Sequence, residues 1–144
     1  MATIDDDEDG TEVSVTFAIR GDALVPASIS TILGLEPSWS HAKGERYQSR
    51  AGVELARSSG VWSYSSEGKV DTREAESHAE FILRALSPKK RAITRYLEDP
   101  LFRVSIGIWW RPDGGSGGYT MTSESLSRLA EYCNELDFYF VGGD

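Results

Sequence analysis

The sequence predicts an α+β fold, in which a largely antiparallel sheet of about six strands carries helices on one face. Two segments alternate apolar and polar residues with the period of two that half-buried strands show, Glu12–Arg20 and Leu101–Trp110. Between and after them lie segments with the apolar spacing of amphipathic helices. Helices grouped on one face of an antiparallel sheet are the usual packing solution for such a mixture.

The first strand, Glu12–Arg20, is followed by the first predicted helix, Pro26–Leu33. Proline suits the first turn of a helix, because its missing N–H would have no partner there. Gly34 suits the left-handed position just after the last turn. We therefore expect this helix to be short and sharply bounded at both ends.

Residues 38–57 show no regular apolar period. We expect a loop there, with a short strand near Glu45–Ser49 and a poorly ordered stretch over Arg50–Ser59. The following segment, Gly60–Ser66, predicts a strand with Trp62 and Tyr64 on one face.

The longest helix is predicted to open at Asp71 and to end before Ser87. Asp71 and Glu74 have the spacing of a capping box, in which two side chains satisfy free backbone N–H groups reciprocally. Ser87 followed by proline breaks this helix and starts another over Pro88–Leu97.

The strand Leu101–Trp110 is followed by the glycine-rich connection Pro112–Gly118, which is too short for a helical crossover. An antiparallel hairpin with a strand at Tyr119–Met121 is therefore predicted. Thr122 or Ser123 then caps the last helix.

The final strand, Leu136–Val141, completes the order β-α-β-β-α-α-β-β-α-β. The middle of this order of elements resembles the split β-α-β arrangement of ferredoxin-like folds. We divide the chain into an acidic disordered tail, residues 1–11, and a single α+β domain, residues 12–144.

The net charge of −8 is unevenly distributed. Five consecutive acids occupy residues 5–9, residues 113–144 are acid-rich, and residues 84–103 are base-rich, so we expect a dipolar domain. The acidic run is expected to be a solubilising terminus, and the alternative is that it attracts a basic partner protein. The acidic total disfavours nucleic acid as a partner. No apolar run reaches the roughly 20 residues that span a bilayer, and the N-terminus does not resemble a secretory signal, so we expect a cytoplasmic protein that does not enter membranes.

The residues that usually carry catalysis are sparse. His41 lies near Lys43 in a polar segment, where we expect a solvated loop histidine, and His78 is expected to pack at a helix boundary with Glu74 as its partner. Cys133, the single cysteine, lies on an apolar helical stripe and is expected to be a buried structural thiol. We therefore expect neither an enzyme nor a cofactor or metal site.

Binding candidates lie on and around the Leu101–Trp110 strand. Trp109 falls on the face opposite its apolar residues, and an exposed tryptophan beside arginine is typical of a binding hot spot. The alternative is that Trp109 is covered by residues 38–59 or by a dimer mate. The candidate partner-binding residues are Trp109, Arg103, Arg111, Tyr119 and Asp137.

A family resemblance rests on residues spread through most of the chain. The sequence is similar to the domain of unknown function 4279 family at Phe17, Ile19, Gly21-Asp22, Pro26, Leu33-Gly34, Pro37, Lys43-Gly44, Gly60, Trp62-Ser63, His78, Pro88, Leu126, Leu129 and Leu136-Asp137. That family has no established activity, and some members lie beside bacterial polymorphic toxins. The resemblance implies a bacterial intracellular protein of unknown biochemical role, and neutralisation of a toxin is the most specific role that it suggests.

Three functional hypotheses follow. The first is a non-enzymatic protein-interaction protein, in its specific form an immunity-type inhibitor of a cognate toxin. The alternative is a small-molecule or nucleotide-binding module that uses the open sheet face. An enzyme would require His41 to line a cleft with Glu45 or Asp22. A homodimer, formed through a sheet edge or the Trp109 face, is compatible with the first two.

Overall fold

A five-stranded sheet forms the centre of the computed structural model, which describes residues 12–112 and 118–141. All neighbouring strands run antiparallel except the last two, which are parallel. This sheet confirms the predicted α+β class and its antiparallel character. In spatial order its strands are β2 (Trp39–His41), β5 (Gly60–Ser65), β1 (Glu12–Gly21), β6 (Arg103–Arg111) and β7 (Glu135–Phe140).

A separate two-stranded hairpin is formed by β3 (Arg46–Gln48) and β4 (Glu54–Ala56). The first of these strands was expected, whereas the poorly ordered stretch over Arg50–Ser59 was wrongly predicted. Gly52 adopts φ +81° in the connecting turn, a backbone conformation that suits glycine. Because the side chains of β4 are all exposed, its sequence carries no alternation that could have predicted it.

Helices cover one face of the large sheet. They are α1 (Pro26–Leu33), α2 (Ala75–Leu86), α3 (Lys90–Glu98) and α4 (Ser123–Ala130), with a 3-10 turn at Ser87–Lys89 between α2 and α3. Gly34 ends α1 in the predicted left-handed conformation, with φ +68°. Thr122 caps α4, as expected, by accepting a hydrogen bond from the Ser125 N–H at 3.1 Å.

The core lies between these helices and one face of the sheet. Apolar residues at alternate positions of β1 and β6 meet those of the helices, which is the burial that the alternation predicted. Trp62 of β5 is fully buried among them, and its indole N–H donates to Ser30 Oγ at 3.0 Å. That bond satisfies the polar atom of the largest buried side chain and ties α1 to the sheet.

The predicted capping box of α2 does not form. The helix begins at Ala75, and its N-cap residue, Glu74, makes no side-chain capping bond. Thr72 instead accepts a hydrogen bond from the Glu74 N–H at 2.8 Å through its hydroxyl. The backbone carbonyl of Thr72 is hydrogen-bonded to His78 Nε2 at 2.6 Å. Residues 71–74 therefore continue the preceding loop and do not form the first turn of the helix.

The predicted hairpin between the central strand and Tyr119–Met121 is also wrong. One edge of β6 pairs with β1 and the other pairs in parallel with β7, so no edge remains for a further strand. Residues 119–121 are irregular, and Tyr119 packs against Trp110 with ring centroids 5.6 Å apart. The chain connects β6 to the parallel strand β7 through α4, which makes this connection a β-α-β crossover. Residues 113–117 of the connection and the acidic tail, residues 1–11, lie outside the described residues.

Candidate functional site

The open face of the sheet, opposite the helices, carries the candidate site. Strand pairing places side chains of all five strands on this face in register. Near its middle they are small or hydroxyl-bearing, and at its margins they are aromatic. They are Ser14, Thr16, Ala18 and Arg20 of β1, Ser63 and Ser65 of β5, Ser105, Gly107 and Trp109 of β6, Asp137 and Tyr139 of β7, and Trp39 of β2.

Together these side chains line a depression of about 690 Å³, which we call the open-face groove. Its floor is low because serine, threonine, alanine and glycine occupy the centre of the sheet. Its walls rise at Trp39 on one side and at Trp109 with Tyr139 on the other. A volume of this size falls within the roughly 300–1,000 Å³ typical of ligand pockets.

Trp109 and Tyr139 form a stacked pair, with ring centroids 4.1 Å apart and planes 17° apart. Trp109 is 40% exposed and Tyr139 is 37% exposed. The sequence left open whether Trp109 is exposed or covered, and the structure shows that it is partly covered by Tyr139 and partly exposed to solvent. Residues 38–59 do not provide this stacking partner, which comes from the neighbouring strand. The pair presents a ring surface to solvent at the margin of the groove.

Gly107 makes room for that pair. A Cβ atom at this position would lie 3.0 Å from Tyr139 Cε2 and 3.3 Å from Trp109 Nε1. Both distances are shorter than ordinary van der Waals contact, so any larger residue would require the two rings to shift by a few tenths of an ångström. The packing of these two rings therefore explains why glycine occupies position 107 of β6.

The opposite wall is supported by the β3–β4 hairpin. The Arg57 guanidinium lies 3.6 Å from the centroid of the Tyr47 ring and 5.5 Å from that of Trp39. Trp39 in turn meets His41 edge to face, with centroids 4.7 Å apart. A cation between two aromatic rings is attracted to both ring faces, and it links the hairpin to the wall of the groove.

Hydroxyl groups give the floor its hydrogen-bonding character. Thr16 donates to Ser65 Oγ at 2.9 Å, and Ser63 donates to the Trp39 carbonyl at 3.0 Å. Arg20 reaches Ser105 Oγ with one guanidinium nitrogen at 3.5 Å. The groove thus offers serine and threonine oxygens, the arginine cation and the Asp137 carboxylate beside aromatic rings, without one dominant sign of charge.

A short loop after β5 closes one end of the groove, and it is anchored by Ser66 and His78. Thr72 C=O can only accept a hydrogen bond, so His78 Nε2, 2.6 Å away, donates the proton. His78 Nδ1 then accepts from the Ser66 hydroxyl at 2.6 Å, and Ser66 Oγ accepts from the Val15 N–H at 2.9 Å. His78 is therefore buried as expected, but its partners are Ser66 and Thr72 instead of Glu74.

The predicted binding residues separate into two groups. Trp109 and Asp137 line the groove, and Arg111 lies at its margin, with Nη1 3.7 Å from a Glu12 carboxylate oxygen. Arg103 lies at the other end of β6, where its Nε donates to Glu135 at 2.7 Å. Tyr119 packs with Trp110 on the opposite side of the sheet, so it does not share a surface with Trp109.

Sequence reasoning missed Tyr139, Trp39 and Arg20 as parts of this site. Arg20 was visible as the polar partner in the alternation of β1, and Tyr139 follows Asp137 at the spacing of one strand face. Their meeting depends on which strands are neighbours, because Tyr139 reaches Trp109 only through the parallel pairing of β6 with β7.

His41 was wrongly expected to be a solvated loop residue. It is buried on β2 against Trp39, because it belongs to a strand that the sequence did not reveal. Glu45 and Asp22, one of which a catalytic His41 would need beside it, have other partners. Glu45 accepts from the Ala42 N–H at 3.2 Å, and Asp22 pairs with Lys43 at 3.2 Å.

Cys133 is partly buried just after α4, and its thiol donates to the Leu129 carbonyl at 3.5 Å. Burial raises the pKa of this thiol to about 11, so the nucleophilic thiolate is scarce at neutral pH. Within residues 12–112 and 118–141, no group of three or more His, Cys, Asp or Glu side chains could hold a metal ion.

The base-rich and acid-rich segments lie side by side in the fold. Lys90 pairs with Glu131, and Arg103 pairs with Glu135, so these charges meet instead of forming opposite poles. The Lys90 ammonium lowers the pKa of the Glu131 carboxyl, chiefly through their hydrogen bond. The dipolar charge distribution of the whole domain stays a prediction.

Fold and groove define an α+β protein with one helix-covered sheet face and one open face walled by aromatic side chains. The chain belongs to the family described as Domain of unknown function (DUF4279), whose family model matches residues 11–140. That match confirms the resemblance read from the sequence. No curated protein and no solved structure matches the chain. Among the described residues, no helix has the length and apolar composition needed to cross a bilayer.

Proposed function

We propose that this protein is a non-enzymatic interaction protein that binds a partner protein in its open-face groove. The observation that carries the proposal is the exposed stacked pair of Trp109 and Tyr139 beside a floor of small side chains. Tryptophan, tyrosine and arginine supply most interface hot spots, and Trp39 and Arg20 lie in the same groove. A partner side chain entering the groove would be enclosed by rings and hydrogen-bonded by the floor.

A binding role is preferred to a catalytic one because of how the reactive side chains are used. Both ring nitrogens of His78 are engaged in hydrogen bonds within the protein. The Cys133 thiol has a raised pKa, which disfavours nucleophilic attack. Ser66, whose hydroxyl meets His78, is fully buried, so a substrate would not reach this serine–histidine pair.

The specific form of the proposal is an immunity-type inhibitor of a bacterial toxin, acting in the cytoplasm. It is supported by the family resemblance and by the five acids of residues 5–9, which would attract a basic toxin. Inhibition would occur by occlusion, with the groove seated over a protruding side chain of the toxin.

Co-expression with the toxin encoded beside it tests this form, with cell survival and co-purification as readouts. Truncating a hot-spot side chain typically costs about 2 kcal/mol or more, so Trp109→Ala and Tyr139→Ala should each weaken binding by roughly 30-fold or more. Val53→Ala is the matched control, because Val53 is exposed at the hairpin and is not part of the groove. Wild-type affinity in both groove variants would contradict the proposal.

A small planar ligand is the second candidate, favoured by the groove volume of about 690 Å³ and by the ring surfaces of its walls. Arg20 would meet an anionic group, as in a nucleotide. A thermal-shift screen with nucleotides tests it. A saturable rise in Tm that Trp109→Ala and Arg20→Ala both abolish is expected, and no rise with any nucleotide would refute this candidate.

A further inference from the structure

The outer edge of β7 is unpaired among the described residues. β7 is the last strand of the sheet, and β6 is its neighbour. The Val141 N–H donates to the Trp110 carbonyl at 3.0 Å. Because alternate residues of a strand bond to the same neighbour, the backbone groups of Leu136, Phe138 and Phe140 point to the free edge. Such an edge is a template for another strand.

This edge lacks most of the devices that usually protect a free strand. Natural edges carry charged side chains, especially lysine, or proline or a bulge, and Glu135–Phe140 contains no lysine, proline or bulge in its regular pairing with β6. Its charged side chains are two acids, of which Glu135 is already paired with Arg103, so Asp137 is the one free charge among the described residues of this strand. Phe138 and Phe140 are 47% and 64% exposed, and Val141 is also exposed. Adjacent exposed apolar side chains on a free edge indicate a surface that is covered in use.

We propose that a second copy of this chain covers the edge, in a two-fold symmetric dimer whose β7 strands pair antiparallel with Phe138 opposite itself. In that register the outward-pointing backbone groups of Leu136, Phe138 and Phe140 all find partners. Phe138 meets Phe138, and Leu136 meets Phe140, so every hydrogen-bonded pair joins two apolar side chains. The strand is thus complementary to itself.

Neighbouring registers are worse for reasons of charge and length. Moving the two-fold axis to Asp137 sets two carboxylates directly opposite each other, which destabilises an antiparallel pair. Moving it to Tyr139 leaves Leu136 without a partner within the strand. With the axis at Phe138, the Asp137 carboxylate instead faces the Tyr139 of the other copy, whose hydroxyl can donate to it.

The dimer would extend the binding site. Asp137 and Tyr139 line the open-face groove, so pairing of β7 brings the two grooves together on one continuous sheet. Each groove would then receive a tyrosine from the other copy at its margin. This consequence reaches beyond the binding role of a single chain and does not depend on which partner binds.

Sedimentation velocity and light scattering on the full chain test the association, with a dimer as the expected result. Phe138→Lys places two ammonium groups opposite each other at the axis and should shift the population to monomer. Leu101→Lys is the matched control, because Leu101 is exposed outside β7. Circular dichroism checks that both variants fold. A monomeric wild-type protein, or a dimer unchanged by Phe138→Lys, would overturn the proposal.

Cysteine cross-linking tests the register in a Cys133→Ala background, which keeps the native thiol from competing. Phe138→Cys should oxidise to a covalent dimer, because the two positions face each other at about 5.5 Å between Cα atoms. Phe140→Cys should not, since the two copies of that position would lie four residues apart along the strand, about 13 Å. Equal cross-linking of both variants, or none by Phe138→Cys, would overturn the register.

Discussion

Replacing Ser66 by alanine should destabilise the protein strongly, although it removes only one oxygen atom. Ser66 is fully buried, and its hydroxyl joins two other buried groups, the Val15 N–H at 2.9 Å and His78 Nδ1 at 2.6 Å. Each group left without a partner costs roughly 1–3 kcal/mol. The expected loss in the free energy of unfolding is therefore about 2–6 kcal/mol, a large part of the roughly 5–15 kcal/mol that a domain has.

A water molecule is not expected to replace the hydroxyl, because the space left is smaller than the roughly 10–15 Å³ that a buried water needs. Urea denaturation at neutral pH measures the loss directly, and Tm should fall by roughly 6–18 °C at about 3 °C per kcal/mol. Ser58→Ala is the matched control, since Ser58 is exposed and its replacement should stay within about 0.5 kcal/mol. A loss below about 1 kcal/mol for Ser66→Ala would refute the assignment of this hydrogen-bonded chain.

Three further predictions concern the groove, the thiol and the hydrogen-bonded carboxylate of Glu76. Gly107→Val should displace the Tyr139 ring and shift tryptophan emission, because a Cβ there lies 3.0 Å from that ring, whereas Gly118→Val, which has open space, should not. Cys133, with a pKa of about 11, should react with a disulfide reagent at a rate that rises about tenfold per pH unit from pH 7 to 9; a plateau below pH 9 would contradict the burial. Hydrogen bonds from the Ser125 hydroxyl and the Thr122 N–H lower the pKa of Glu76, so the stability it adds is present above pH 4.5 and is lost as pH falls through the lowered value. The difference in unfolding free energy between wild type and Glu76→Gln should therefore shrink below pH 4.5, and a constant difference would exclude this role.

Local patterns predicted elements and faces well where the chain was regular. The alternation in Glu12–Arg20 assigned the buried side of β1 correctly, because strand side chains alternate whatever the neighbouring strand is. Pro26 and Gly34 bounded α1, since each acts through its own backbone conformation. Thr122 capped α4 through a bond to a residue three positions away. All three depend on contacts that are close in sequence.

Irregular segments were predicted less well. The capping box at Asp71 and Glu74 was overridden by the bond from His78 to the Thr72 carbonyl. His41 was placed in solvent because the three residues of β2 are too few to show a period. In both cases a contact between residues of different elements or loops decided the local conformation.

By itself the sequence determined the fold class, the existence of the longer helices and strands, and which side chains of β1 and β6 share a face. Only the tertiary structure decided that β7 runs parallel beside β6, and that pairing brings Tyr139 onto Trp109 and forms one wall of the groove. The physical reason is that a period of two assigns faces and is silent on neighbours. Strand order is set by packing among residues far apart in the chain, which no local pattern records.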